Sequence, residues 1–127
     1  MPEAAAADVA GAANPGVVAR WKARLAEQRA HLRERYLANG SSAELLRRHC
    51  AVIDQQLRAV WHHLEMPADM VLAAVGGYGR GQLFPHSDID LLILLPGPGD
   101  ENGGAKIERF VGILWDIGLE IGHSVRT

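Results

Sequence analysis

Two carboxylates stand two residues apart in Ser87-Asp88-Ile89-Asp90, at the head of the apolar run Leu91 to Leu95. If that run is a strand, side-chain alternation sends both to the same face. Like charges held side by side repel unless a cation lies between them, and hard carboxylate oxygens select Mg²⁺ or Mn²⁺. Such a pair can begin a two-metal site, in which one ion activates an attacking oxygen and the other bridges a triphosphate and its leaving pyrophosphate. Two ions and a triphosphate need a further carboxylate. Asp116 and Glu120 are the candidates within the chain, neither with a supporting motif, and the expectation is that the third ligand lies beyond Thr127.

Upstream runs Val75-Gly76-Gly77-Tyr78-Gly79-Arg80-Gly81. Glycines let a backbone approach phosphate oxygens and turn its N–H groups toward them, and Arg80 adds a fixed charge with a bidentate fork. On its own this is a plain glycine-rich loop with Arg80 in water; the Asp-x-Asp strand start that follows points it toward nucleotide. Gly76, Gly77, Arg80 and Ser87 are therefore the candidate nucleotide-binding residues, and Asp88 and Asp90 the candidate catalytic and metal-binding pair. Ser87 has an alternative role in capping the turn before Asp88. Tyr78 either stacks on a base or packs beneath the loop. Pro85 stiffens the segment, and His86 reads as an exposed loop histidine without a role.

His123 and Ser124 lie on a predicted strand, so one of them shares the carboxylate face, with a core or rim position as the plain reading. His62-His63 is no chelating pair, because adjacent helical positions face different directions. No Walker loop, Cys-x-x-Cys or Ser-His-Asp arrangement is present.

The elements that must position these residues follow from periodicity. Val18, Trp21, Leu25, Leu32 and Tyr36 recur at helical spacing and predict a helix over 17–38. Asn39-Gly40 ends it, and Ser41 with Glu44 forms a capping-box pattern opening a second helix. Leu46, Ile53, Leu57, Val60, Trp61 and Leu64 mark its buried face, and Pro67 stops it. Residues 71–75 read as a short buried strand. Residues 89–95 read as a second, buried on both faces because no polar residue alternates after Asp90. The stretch 96–104 is a loop by composition; Ile107, Phe110, Val111, Leu114 and Ile117 restore a helix that Gly118 closes, and 119–125 is a third strand.

The fold class is thus α+β: a small mixed sheet flanked by helices. Residues 1–16 read as a disordered tail, 17–66 as a helical pair and 67–127 as an incomplete core. The order stops mid-fold, with no element after the third strand, which is the expectation for the N-terminal piece of a longer protein.

Composition narrows the function classes. The chain has 127 residues, 48% hydrophobic and 22% charged, with a formal net charge of −2. That balance excludes a protein that coats nucleic acid. Nine of the 13 Lys and Arg residues precede residue 60, six of them between Arg20 and Arg35, which is a solvated helix face or, alternatively, an interaction surface. Cys50 is alone, so no intrachain disulfide forms and a reducing cytoplasm fits. The apolar run is far short of the roughly 20 residues of a membrane helix, so no membrane association is expected.

The stretch from Gly76 through Asp88-Ile89-Asp90 to Leu92 resembles the active-site signature of the polymerase-beta-like nucleotidyltransferase superfamily, most closely its bacterial PII uridylyltransferase/uridylyl-removing group. A second block, Leu114 to Thr127, resembles the same group's next segment. The resemblance implies transfer of UMP from UTP to a tyrosine of the nitrogen-regulatory PII signal protein, with pyrophosphate released. It also implies a larger bifunctional nitrogen sensor with uridylyl-removing and regulatory domains that this chain lacks. By position, Gly76, Gly77 and Arg80 would handle the triphosphate, and Asp88 and Asp90 would bind Mg²⁺. The rival readings are an inactive truncated nucleotide-binding fragment and an adenylyltransferase acting on a regulatory protein.

Overall fold

The computed structural model describes residues 15–81, 83, 87–97 and 101–127, with backbone alone for 101 and 102. The tail expected over 1–16 lies outside them up to residue 14, as do Pro85 and His86. Helix α1 is Pro15–Asn39 and α2 is Ser42–His63. Strand β1, Val71–Val75, leads into a single helical turn, α3, Gly76–Gly79; then come β2, Ile89–Leu94, α4, Glu101–Ile117, and β3, Ile121–Arg126.

The junction between α1 and α2 is set by side chains. Gly40 takes φ +66° and Ser41 caps α2, its Oγ accepting from the Glu44 N–H at 3.2 Å. The reciprocal arm of the expected capping box is absent. Ser41 N–H donates to Asn39 Oδ1, and the Glu44 carboxylate accepts from Arg35, Asn39 and Arg48. Two guanidinium groups bind a carboxylate more strongly than one backbone amide.

At its other end α2 closes with Glu65 at φ +52°. Glu65 N–H donates to the His62 carbonyl and Met66 N–H to Trp61, and Lys106 of α4 donates to the carbonyls of Leu64 and Glu65 at 3.0 and 2.8 Å. These bonds satisfy carbonyls that every helix end leaves open. Gly118 closes α4 in the same way, at φ +111°.

The sheet is mixed, in the order β1-β2-β3, with β1 antiparallel and β3 parallel to the central β2. The helices cover one face. Ile89, Leu91, Ile93 and Ile121 enter a single core with Leu25, Ile53, Leu57, Val60, Phe110, Leu114 and Leu119, where Trp61 meets Phe110 edge-on at 5.0 Å.

No described helix covers the other face, contrary to the expectation that the second strand is buried on both sides: Leu94 of β2 is 37% exposed, and on the same face of the adjoining β1 Val71 is 52% and Val75 37% exposed. An unbroken apolar run is required by two covered faces, yet here only alternate residues of β2 meet a helix. The loop expected over 96–104 is also shorter, since 101–104 belong to α4. Each glycine costs a helix about 1 kcal/mol, a term outweighed by the buried stripe of Ile107, Phe110, Ile113, Leu114 and Ile117. No helix of the described residues is long and apolar enough to cross a membrane.

Candidate active site

Asp90 is the second residue of the central strand, paired with Val75 on one side and Gly122 on the other. Alternation puts Ile89 and Leu91 in the core and leaves Asp90 on the uncovered face; Asp88 precedes the strand and is exposed. Ile89 N–H donates to the Glu120 carbonyl at 2.8 Å, so the pairing of β2 with β3 begins between the two aspartates.

The Asp90 carboxylate sits in a slot made by two glycines. A Cβ on Gly76 would stand 2.8 Å from its Oδ2, and one on Gly122 would stand 3.1 Å from its Oδ1. Side chains at these two positions would push the carboxylate aside, and Gly76 also holds φ +63°, which L-residues avoid. Gly76, which the sequence assigns to phosphate approach, is thus also required by the protein's own packing. Gly79 shows the same, since a Cβ there would meet the Ala74 carbonyl oxygen at 2.7 Å.

The expected glycine-rich loop opens as the helical turn α3, with no side-chain cap from Val75. Arg80 N–H donates to the Gly76 carbonyl and Gly81 N–H to Tyr78, closing the turn. Arg80 is exposed, Gly77 and Ser87 are half-buried, and Tyr78 points inward, 7% exposed. Of its two readings, packing beneath the turn is the observed one. Its hydroxyl donates to Asp54 Oδ1 of α2; burial, then this bond, push the phenol well above its ordinary range. Farther along, the buried Leu83 presents its carbonyl to His49 Nδ1 at 3.0 Å.

Asp88 and Asp90 are both exposed, and neither forms an ion pair with a described residue. Among the described residues no group of three or more His, Cys, Asp or Glu could hold a metal ion, so neither Asp116 nor Glu120 completes a trio. Asp116 is exposed in the last turn of α4. The charge of Glu120 acts on Arg29 of α1, a guanidinium that burial pulls below its ordinary range. On β3, Ser124 pairs with Leu92 and lies on the Asp90 face, whereas His123 pairs with Leu91 on the other.

Sequence reasoning missed Gly122, Asp54 and His49. Gly122 stands in the recognised second block, but its contact with Asp90 requires the register of β2 on β3. Asp54 and His49 sit on α2 without any local pattern to separate them from neighbouring polar residues.

Comparison with known proteins agrees with the geometry. The nucleotidyltransferase domain family matches residues 53–123, from mid-α2 into β3. A bifunctional uridylyltransferase/uridylyl-removing enzyme of Chromobacterium violaceum is 51% identical over 107 residues, 84% of this chain and 12% of that protein. Its namesake in Nitrosospira multiformis is 53% identical over 110 residues, 82% of this chain and 12% of the relative. The one in Aromatoleum aromaticum is 43% identical over 116 residues, 91% and 14% of the two chains. This chain therefore spans about an eighth of the length of such relatives. No solved structure matches it significantly. With its Asp90 slot, glycine-led turn and family match over most of the core, the chain belongs to the nucleotidyltransferase domain family.

Proposed function

We propose that this chain is the nucleotide-handling part of a metal-dependent uridylyltransferase that moves UMP from UTP to a tyrosine hydroxyl of the PII signal protein. In that transfer the hydroxyl oxygen bonds to the α-phosphorus of UTP, the bond to the bridging oxygen breaks, pyrophosphate leaves and the hydroxyl proton passes to solvent. The observation that carries the reading is the Asp90 carboxylate, held between Gly76 and Gly122 at the end of the sheet where Asp88 and the glycine-led turn also lie. The choice of UTP and of PII is supported by relatives named for uridylyl transfer and removal.

The donor set fits a hard divalent cation: two exposed carboxylates, oxygen atoms only, without an ion-pair partner among the described residues. Asp88 and Asp90 would hold Mg²⁺ or Mn²⁺, which when bound neutralises phosphate charge and favours the ionised form of the attacking hydroxyl. The remaining work falls to the chain itself. The first N–H groups of a helical turn lack carbonyl partners within it, so Gly76 and Gly77 can orient phosphate oxygens. Arg80, exposed and fixed in charge, can clamp the triphosphate, with Ser87 beside the carboxylates. Gly122 and Gly76, lacking a Cβ, leave the Asp90 carboxylate room to keep its position.

The absence of a third carboxylate among the described residues favours a second reading, a fragment that binds Mg-nucleotide without turning it over. One experiment separates the two. Labelled UMP transfer from UTP to purified PII protein is measured with Mg²⁺, for this chain and its Asp88→Asn/Asp90→Asn variant, with ATP as a control and Mg-UTP affinity read by calorimetry. Transfer from UTP that disappears in the variant supports the transferase; carboxylate-dependent binding without transfer supports the binding fragment. Equal binding by parent and variant would sink both.

A further inference from the structure

From α3 toward β2 the chain dips into the core at two points. Tyr78 is 7% exposed and Leu83 is 1% exposed, while Gly79, Arg80 and Gly81 between them face solvent. Both buried points are tied to the same helix. The Tyr78 hydroxyl donates to Asp54 Oδ1, and His49, itself fully buried, donates from Nδ1 to the Leu83 carbonyl at 3.0 Å. A carbonyl only accepts, so Nδ1 carries the proton. Burial strengthens a hydrogen bond and raises the cost of leaving its partners unmade, fully for the buried His49–Leu83 tie and in part for Tyr78–Asp54, whose carboxylate side is exposed, so these ties favour one placement of the turn over its alternatives.

The two ties differ from ordinary core packing. Apolar contacts around Tyr78 and Leu83 fix depth, but a hydrogen bond to a named atom also fixes direction. The segment they bracket carries Arg80, whose amide holds the turn closed on Gly76, the residue that walls one side of the Asp90 slot. A shift at Tyr78 is thereby transmitted to both the cation that would meet the triphosphate and the glycine that seats the carboxylate.

We propose that α2 clamps the nucleotide-handling turn, with Asp54 acting through the Tyr78 hydroxyl and His49 through the Leu83 carbonyl as positioning residues for nucleotidyl transfer. This rests on the function proposed above. None of the four touches the reacting atoms. Their effect is to hold Arg80 and Gly76 in register with Asp88 and Asp90, so that the geometry is in place before substrate arrives.

The test uses Tyr78→Phe, which keeps the ring and removes the hydroxyl, Asp54→Ala, their double variant, and Asp54→Asn, which keeps an acceptor. Three readings are taken on the whole chain: amide exchange of Arg80 and Gly81, Mg-UTP affinity, and UMP transfer split into kcat and KM. Tyr78→Phe and Asp54→Ala should each speed exchange at these two amides and weaken Mg-UTP binding or transfer by about tenfold. The double variant should be no worse than either single one, because both remove the same bond. Asp54→Asn should recover to within about threefold of the parent.

Lowered melting temperature with unchanged affinity and transfer would make the bond structural only and overturn the proposal, as would additive losses in the double variant. Failure of the function reading looks different. It is a folded parent that neither binds Mg-UTP nor transfers UMP, and the positioning role then falls with it.

Discussion

Replacing Gly122 with alanine adds one methyl group to β3 on the face that carries Asp90. The backbone at Gly122 lies in an ordinary strand outside the left-handed region, so alanine fits it without strain. By restricting the unfolded chain the substitution favours folding by about 0.4–1 kcal/mol. The new Cβ, however, stands 3.1 Å from Asp90 Oδ1. That is about 0.3 Å inside an ordinary van der Waals contact, and the carboxylate, whose oxygens are the mobile partner, must give way. A misplacement of 1 Å can cost roughly 100-fold in rate, so about 0.3 Å scales to about fourfold, or about 0.8 kcal/mol in the barrier. The expected result is a chain as stable as the parent or more so in urea, with Mn²⁺ affinity and UMP transfer reduced about fourfold. Gly76→Ala is the companion variant. It meets Oδ2 at 2.8 Å and must also hold φ +63°, so it should lose about 1–2 kcal/mol of stability as well as activity. If Gly122→Ala kept full metal affinity and full transfer, or unfolded at lower urea than the parent, the account of Asp90 as a carboxylate seated between two glycines would be wrong.

Two further expectations concern the helices that carry the sheet. Glu65→Gly relieves a left-handed residue at φ +52° and should stabilise the chain by about 1 kcal/mol, seen as a rise of several degrees in melting temperature; a fall would mean that the Glu65 side chain is needed. Glu44 is held at about 2, against an ordinary 4.5, first by its hydrogen bond from Arg35 and then by that from Arg48. A carboxyl depressed in the folded state contributes stability that is whole above about 4.5 and is lost as pH falls toward 2. Urea midpoints of the parent should therefore drop across that window more steeply than those of Glu44→Gln, and equal slopes would show that the Arg35–Glu44–Arg48 cluster does nothing for folding.

Much of the layout was legible in the residues because it is set locally. Helical spacing from Val18 to Tyr36 placed α1 to within two residues at its start and one at its end, and Ser41 capped α2 as expected. The Asp-x-Asp at the head of an apolar run marked β2, with Asp90 on the exposed side of its alternation. Local reasoning failed where a distant partner decided. Glu44 fits the capping-box pattern, yet Arg35 on the preceding helix takes its carboxylate. The apolar run of β2 resembled a doubly covered strand, but all the described helices that pack on it lie on one side.

The sequence by itself determined the order of elements, the pair of carboxylates and the glycine-led turn, since side-chain period, φ preference and proline chemistry act over a few residues. Only the tertiary structure decided which atoms surround them. Parallel pairing of β3 with β2 brings Gly122 against Asp90 across a whole intervening helix, and packing of α2 turns Tyr78 inward onto Asp54. Those contacts depend on strand register and helix placement, which are settled by how the entire core fills space rather than by any short run of residues.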